Sequence, residues 1–372
     1  MEARQLTAQP GVVEVTDRTA FMALEPEWNA LVEGTADEPF YRHEFLRIWM
    51  DNFTPEARLR VLTLRDGEGR LVGALPLTQG RASLHGVPVR QLSAPANAHS
   101  CRFDVLAREP EAAAAAFLAH LKADRSWDVL LLTDVPEGGA GWKLHEAARG
   151  AGMPVGAWES LQSPYIPLAS SWEEYQKTLQ SKFKANCRRR RRKLEEKGRV
   201  EVERLEGGLE LEGKLEEGFA LEASGWKGQR GTAMAQDGRT RGFYTELARE
   251  AGYAGRLALY FLRLDGRAVA FQYGLQYGGR YFLLKPGYDE SLSDCSPGQL
   301  LTEEVLRDCH ARGLREFDFL GPDMVWKRDW TERVRRHTWL YVFNDTTFGR
   351  ALCAAKFQWA PKAREVMARW KR

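Results

Sequence analysis

Residues 281–320 read YFLLKPGYDESLSDCSPGQLLTEEVLRDCHARGLREFDFL, and this stretch decides the fold. Residues 281–284 form a short apolar run typical of a strand, and residues 300–311 carry apolar side chains at helical spacing. The run 316–320, Glu-Phe-Asp-Phe-Leu, returns to a strand pattern in which Asp318 stands between two phenylalanines. A strand, a helix and a second strand in this order predict an α/β architecture.

The loop between the first strand and the helix contains Ser296, Pro297 and Gly298. Serine is favoured as the N-cap of a helix and proline as its first residue. A glycine next to them lets a ligand approach the backbone N–H groups, whose dipoles favour an anion such as phosphate. The tripeptide fits an ordinary helix start equally well, so both interpretations remain open.

The first half of the chain repeats the same plan. Four patterns recur at offsets of 190 to 203 residues: Trp28 and Trp226, Phe40-Tyr41 and Phe243-Tyr244, the turns Asp66-Gly67 and Asp265-Gly266, and the strands containing Asp128 and Asp318. A shared order at a shared offset indicates an internal repeat. We therefore expect two α/β domains, residues 1–165 and 166–372, each a mixed, mainly antiparallel sheet flanked by helices.

Composition agrees with an ordinary globular protein of about two domains. The 372 residues are 44% hydrophobic and 28% charged, and the formal net charge is only +3, which gives no general argument for binding DNA. The five cysteines show no CxxC pattern, and the histidines form no metal motif. We expect no metal, a reducing compartment, and a cytoplasmic location without signal peptide or membrane span, with contact at the inner membrane face left open.

The repeated plan, the Ser-Pro-Gly helix start and the segment Trp326-Lys327-Arg328 resemble the GNAT acyltransferase superfamily. The resemblance is greatest to the double-domain branch with CelD-type acetyltransferases and Fem-type aminoacyltransferases. It implies acyl-CoA or acetyl-CoA as co-substrate, held by residues of the loop 294–300: Ser296, Pro297, Gly298, Gln299 and Leu300. The glycine-rich loop usual in GNAT enzymes is replaced here by residues without that spacing. The corresponding helix of the first half begins at Glu109-Pro110-Glu111, where two carboxylates would repel phosphate, so the second half is predicted to be the catalytic copy.

Acyl transfer to an amine needs a base and donors that stabilise the tetrahedral oxyanion. Asp318 is a candidate base because it is an acid inside an apolar strand, although a carboxylate held by backbone or arginine groups is an equal alternative. Lys327 could stabilise negative charge or be a solvated surface lysine, and Tyr288 could protonate a leaving thiol or simply pack. Trp226, Lys227 and Tyr244 are candidates for the acceptor side. Cys295, at the predicted helix start, is a further candidate nucleophile.

The strongest local charge is KFKANCRRRRRK, residues 182–193, inside a predicted basic helix 182–197. Arg188 and Arg192 are candidates for binding substrate phosphates, anionic lipid or tRNA, against the alternative of a solvated helix. The C-terminal segment from Lys356 is also basic and contains tryptophans, a composition that suits a membrane surface or ordinary docking.

Three functions follow as hypotheses. The first is an N-acyltransferase that moves an acyl group from acyl-CoA to a small-molecule, sugar or lipid amine. The second is Fem-like aminoacyl transfer from tRNA to a cell-envelope precursor of a bacterium. The third is a binding protein that retains the fold without the chemistry.

Overall fold

The computed structural model describes residues 11–224, 234 and 237–359, and these divide into two compact units. Unit 1 comprises the described residues up to Arg47, then Thr54–Leu161, and those from Arg336 onward. Unit 2 comprises Ile48–Phe53 and Gln162–Arg335. In the described part of the chain, no helix is long and apolar enough to cross a membrane.

Unit 1 is built on one sheet in the order β1-β2-β3-β4-β6-β13, with β5 paired to β3. Its strands are β1 Val12–Val15, β2 Arg58–Arg65, β3 Leu71–Leu84, β4 Val87–Ser93, β5 Leu106–Ala107, β6 Val129–Pro136 and the greater part of β13 Val334–Phe343. Its helices are α1 Arg18–Ala23, α2 Glu25–Glu33, α4 Pro110–Ala123, α5 Ala140–Gly150 and α12 Thr347–Ala354; α3 His43–Phe53 begins here. The apolar faces of α4 and α5 pack on one face of this sheet, and Phe117 and Leu144 are fully buried there.

Unit 2 contains a second sheet, in the order β8-β9-β10-β11-β12-β7. Its strands are β8 Val200–Leu205, β9 Leu257–Leu264, β10 Arg267–Tyr277, β11 Arg280–Tyr288, β12 Glu316–Asp318 and the end of β7 Val155–Pro167. Its helices are α6 Trp172–Thr178, α7 Ser181–Glu195, α8 Leu211–Ala223, α9 Gly238–Tyr253, α10 Pro297–Ala311 and α11 Val325–Arg328. The predicted basic helix is α7, whose buried residues Phe183, Cys187 and Leu194 recur on one stripe.

The two sheets have the same sequence of pairings. In each, three antiparallel pairings between four successive strands are followed by one parallel pairing, β4 with β6 in unit 1 and β11 with β12 in unit 2. Each then ends on an antiparallel strand, which is β13 beside β6 and β7 beside β12. The predicted class, two mixed and mainly antiparallel sheets flanked by helices, is confirmed.

The division of the chain differs from the predicted 1–165 and 166–372. Residues from Arg336 onward belong to unit 1 rather than to the second domain. The reason is strand pairing, since residues 340–343 lie antiparallel to residues 129–132, and Leu340 and Val342 enter the unit 1 core. The reverse holds for β7, whose residues 165–167 pair with β12 of unit 2. The basic C-terminal segment lies mostly outside the described residues.

Unit 1 contains a histidine whose burial predicts acid lability. His43 is 0% exposed, stacks on Phe21 with ring centroids 4.2 Å apart, and its Nε2 lies 2.9 Å from the Phe21 carbonyl oxygen. Burial lowers the pKa of His43 below 6.5; the Phe21 carbonyl and Glu44 oppose this shift, and Arg47 and Arg18 add to it more weakly. The unfolded chain therefore binds a proton more readily than the folded one as pH falls through 6.5.

We expect the thermal unfolding midpoint of unit 1 to decrease when the pH is lowered from 7.5 to 5.5. This histidine lowers the free energy of unfolding by at most about 1.4 kcal/mol per pH unit. Burial also lowers the pKa of His145, which adds to the effect. The substitution His43→Asn should reduce the pH dependence, whereas His85→Asn, at an exposed histidine, should leave it unchanged. An equal pH dependence in wild type and His43→Asn would contradict this assignment.

Candidate active site

The parallel strands β11 and β12 of unit 2 are paired over only three residues. Residues 280–282 of β11 lie beside residues 316–318 of β12, and there β12 ends. β11 continues to Tyr288, bonded on its other side to β10. In the same stretch Gly274 of β10 pairs with Leu283 of β11, but the preceding Tyr273 pairs with Lys285. Leu284 therefore has no partner on β10 and forms a β-bulge, which bends the strand. An opening therefore begins between the two strands beyond Phe282.

The first turn of α10 borders this opening. Ser296 has a left-handed backbone, φ 47° and ψ 57°, and its Oγ donates to the Ser293 carbonyl at 3.2 Å, so its side chain does not cap the helix as predicted. The Ser296 carbonyl accepts from the N–H groups of Gln299 and Leu300. Gly298 N–H has no acceptor among the described residues. A Cβ on Gly298 would lie 3.4 Å from Cδ1 of Tyr288, which packs beside this turn.

The other predicted cofactor residues have structural contacts. Pro297 and Leu300 are buried, with Leu300 inside the unit 2 core. The Gln299 amide donates to the Trp326 carbonyl at 3.4 Å and accepts from Trp330 Nε1 at 2.7 Å. The core and the 326–330 segment thus hold the Leu300 and Gln299 side chains, and the assignment of these two residues to cofactor binding stays a prediction. In the predicted loop, Ser296 and Gly298 remain accessible.

Asp318 ends β12 and is 0% exposed. Its Oδ1 accepts from Leu320 N–H at 2.8 Å, and its Oδ2 lies 2.6 Å from Arg335 Nη1. The Arg335 guanidinium also pairs with Glu316 at 3.1 Å and stacks 4.4 Å from the Tyr165 ring centroid. These contacts favour the alternative in which the carboxylate is held by backbone and arginine groups.

Lys327 is 4% exposed, so it is not a solvated surface lysine. Its ammonium group donates to the Leu320 carbonyl at 2.6 Å and to the Pro322 carbonyl at 2.9 Å. Asp318 and Lys327 therefore both bond to the backbone of Leu320. Asp318 accepts from its N–H, and Lys327 donates to its carbonyl. The structure brings the two predicted residues together through this loop.

The basic helix α7 packs beside α10 through its buried stripe. Arg191 pairs with Glu304 of α10, and Lys193 Nζ lies 2.6 Å from Asp294 Oδ2, two residues before Ser296. The Lys193 ammonium lowers the pKa of Asp294. Arg188 and Arg192 are exposed, and neither has an ion pair with another residue that the structure describes.

The acceptor-side candidates do not form a described surface. Tyr244 is 1% exposed, and its ring packs edge-on against Phe243 and Tyr273, so its assignment to the acceptor side stays a prediction that this packing does not favour. Trp226 and Lys227 lie outside the described residues. Cys295 is buried, and burial raises the pKa of its thiol, which argues against a nucleophile there.

Sequence reasoning missed Arg335 and the bond from Ser163 Oγ to the Gly321 carbonyl at 3.0 Å. Neither residue has a sequence signal, because each meets the loop after β12 from a distant strand or segment. It also missed Glu222, which is 2% exposed and accepts from Met234 N–H at 2.8 Å. A Cβ on Gly287 of β11 would lie 3.0 Å from the Glu222 Cα, so this acid is next to the strand that borders the opening.

A family model matches the part of the chain that contains this candidate site. Residues 181–328, which contain the opening, α7 and Lys327, match the family model described as acetyltransferase (GNAT) domain. The chain carries a GNAT acyltransferase domain.

Solved structures extend the likeness to nearly the whole length of the chain. FemX aligns with 90% of this chain and 97% of its own at a TM-score of 0.60 and 12% identity. The L-PGS from Bacillus licheniformis aligns with 94% of this chain and 98% of its own at a TM-score of 0.52 and 12% identity. The C-terminal domain of a putative lysylphosphatidylglycerol synthetase from Agrobacterium fabrum aligns with 90% of this chain and 96% of its own at a TM-score of 0.51 and 12% identity. These likenesses concern the fold, and a comparison with curated protein sequences gives no match.

Proposed function

We propose that unit 2 transfers an acyl group from acyl-CoA to the nitrogen of an amine acceptor. The observation that carries the proposal is the opening beyond Phe282, bordered by the first turn of α10 with its accessible Gly298 N–H. This arrangement lies within the residues that match the GNAT family model. It offers a backbone edge for the acyl arm and a helix start for phosphate, which are the two parts of an acyl-CoA.

The phosphate part of the proposal depends on α10. The helix runs for 15 residues, so its N-terminus carries a partial positive charge. Pro297 has no N–H, and the Gly298 N–H has no acceptor among the described residues, so the first turn has a donor to offer. The adjacent Asp294 is paired with Lys193, which reduces its repulsion of an anion.

The reaction is a direct displacement. The neutral amine attacks the thioester carbonyl carbon, a C–N bond forms, and the carbonyl π electrons move to oxygen. Collapse of this oxyanion breaks the C–S bond, and the proton lost by nitrogen balances the departing thiolate. Tyr288, beside Gly298, is the proposed proton donor to sulfur.

A matched pair of substitutions tests the donor site. Gly298→Glu and Gly298→Gln add side chains of nearly equal size, but only glutamate adds a negative charge. An acid in the first turn favours the helix itself, so the folded state should tolerate Gly298→Glu. We expect KM for acyl-CoA to be about tenfold higher in Gly298→Glu than in Gly298→Gln, which corresponds to ~1.4 kcal/mol. Thiol release and the mass of the acylated product provide the readout.

The acceptor should be sought with a panel of amines that includes amino sugars, peptidoglycan precursors, lipid amines and small metabolites. The fold likeness to a lysylphosphatidylglycerol synthetase domain is a reason to keep lipids in the panel. No thiol release with any acyl-CoA and any of these amines, together with no CoA binding by calorimetry, would refute the proposal.

A second candidate is Fem-like aminoacyl transfer from tRNA, favoured by the exposed Arg188 and Arg192 on α7. Guanidinium groups without an internal ion pair are available to phosphates. Arg188→Glu with Arg192→Glu should weaken tRNA binding and flatten its salt dependence. Arg58→Glu with Arg81→Glu, at two exposed arginines of unit 1, makes the same change of net charge and is the control. Equal tRNA binding by the two double variants would exclude this candidate.

A further inference from the structure

The loop that follows β12 has an unusual backbone. Leu320 has φ 48° and Gly321 has φ 53°, so two successive residues are left-handed. Glycine adopts this conformation freely, but a leucine does so only when its surroundings impose it. Such positions are concentrated at functional sites, where strain forms part of the arrangement. The left-handed backbone at Leu320 therefore marks this loop as a candidate part of the functional site.

Three side chains impose the conformation. Asp318 accepts from the Leu320 N–H, and Lys327 donates to the carbonyls of both Leu320 and Pro322. Ser163, which is 0% exposed, donates to the carbonyl between them, that of Gly321, at 3.0 Å. Three consecutive carbonyl groups are thus held by two buried side chains. This density of bonds to one short loop exceeds what closing a turn requires.

The Gly321 N–H is the group that these bonds leave available. Among the residues that the structure describes, no acceptor is bonded to it. A Cβ on Gly321 would meet only Lys327 Nζ within 4 Å, at 3.7 Å, so there is open space on the side of the residue where a side chain would project. The loop begins directly where β12 ends and the opening beside β11 begins.

We propose that residues 320–322 form a preorganised turn whose Gly321 N–H donates to the acyl carbonyl oxygen of the donor. Lys327, Asp318 and Ser163 are then positioning residues, because they hold the turn and do not touch the substrate. As the amine nitrogen bonds to the carbonyl carbon, the oxygen gains the π electron pair and this N–H bond strengthens; it weakens again when the C–S bond breaks. A donor fixed before reaction stabilises the oxyanion without reorganisation.

The proposal rests on acyl-CoA as the donor, so the test separates the two. The wild-type protein, labelled with ¹⁵N-glycine, is titrated with two analogues: one in which CH₂ replaces the thioester sulfur and the carbonyl remains, and an alkyl-CoA thioether without a carbonyl. Loss of a peak in Gly298→Ala and in Gly321→Asn assigns the two amides, since asparagine tolerates a left-handed backbone. We expect both analogues to shift the Gly298 amide, and only the carbonyl analogue to move the Gly321 proton downfield.

The outcomes differ for the two proposals. If both analogues shift Gly298 and neither moves Gly321, or both move it equally, the turn is not a carbonyl donor and the acyl-CoA site stands. If neither analogue binds, acyl-CoA is not the donor and both proposals fail. Kinetics provide a second readout, since Ser163→Ala should lower kcat about tenfold, the effect of roughly one hydrogen bond, with KM for acyl-CoA nearly unchanged. A Ser163→Ala protein with full kcat overturns the positioning role.

Discussion

Replacing Arg335 by methionine should lower the free energy of unfolding of unit 2 by about 3–5 kcal/mol. Asp318 is fully buried, and the Arg335 guanidinium is its charge partner at 2.6 Å. Methionine has a similar length and no charge, so it would remove the charge partner at Oδ2 and leave the carboxylate desolvated inside the core. Removing one partner of a buried pair costs far more than the pair contributes, because the remaining charge stays desolvated.

Two further variants isolate this effect. Arg333→Met removes an exposed arginine two positions away and should change stability by less than about 0.5 kcal/mol. Asp318→Asn combined with Arg335→Met removes both charges and should recover part of the loss. Denaturant unfolding followed by the fluorescence of Trp330, with the other tryptophans as background, measures all three. A loss below about 1 kcal/mol in Arg335→Met would show that the carboxylate does not depend on this arginine.

Two glycine-to-alanine substitutions in α8 should act in opposite directions. A Cβ on Gly218 would lie 2.6 Å from Cζ of Phe271, whose ring is fully buried on β10. The ring is enclosed by the core and cannot move away, so Gly218→Ala should destabilise by about 1–3 kcal/mol through overpacking. At Gly213, an exposed position of the same helix, nothing lies within 4 Å of the added carbon.

Gly213→Ala should therefore stabilise the protein by up to about 1 kcal/mol, the difference in helix propensity between the two residues. Both variants receive the same propensity gain, and their difference measures the clash with Phe271 alone. Thermal unfolding of the two proteins side by side is sufficient. Equal midpoints would mean that α8 can shift away from β10 at no cost.

The repeated plan of the fold was predictable because it is encoded locally. The basic run 182–197 located α7 and the apolar spacing of residues 300–311 located α10, each to within about three residues, and the turn at Asp66-Gly67 joined two strands as expected. The strands β7 and β13 were not predicted, and the sheet that each completes could not be predicted from local patterns. Which sheet each completes depends on contacts between residues about 150 or more apart in sequence.

The candidate site was predicted as a region more accurately than as a set of roles. Asp318 and Lys327 stood out as an acid and a base in suggestive places, and they do meet, but at a backbone loop rather than at open space. The left-handed turn at Leu320 carries no glycine signal at its own position, so sequence could not reveal it. Gln299 and Tyr244 looked like binding residues because their types allow it, and tertiary packing gave them other partners.

The late position of β13 in the sequence affects how unit 1 folds during synthesis. Most of unit 2, including every residue that forms its sheet, is encoded between residues 162 and 335. Unit 1 is begun first, but the edge of β6 has no partner on its β13 side until residues 337–343 are synthesised. An unpaired strand edge is a template for aggregation. The usual order, in which the N-terminal domain folds first during translation, is thus reversed for the sheet of unit 1, and a nascent chain must protect that edge until residues 337–343 have left the ribosome.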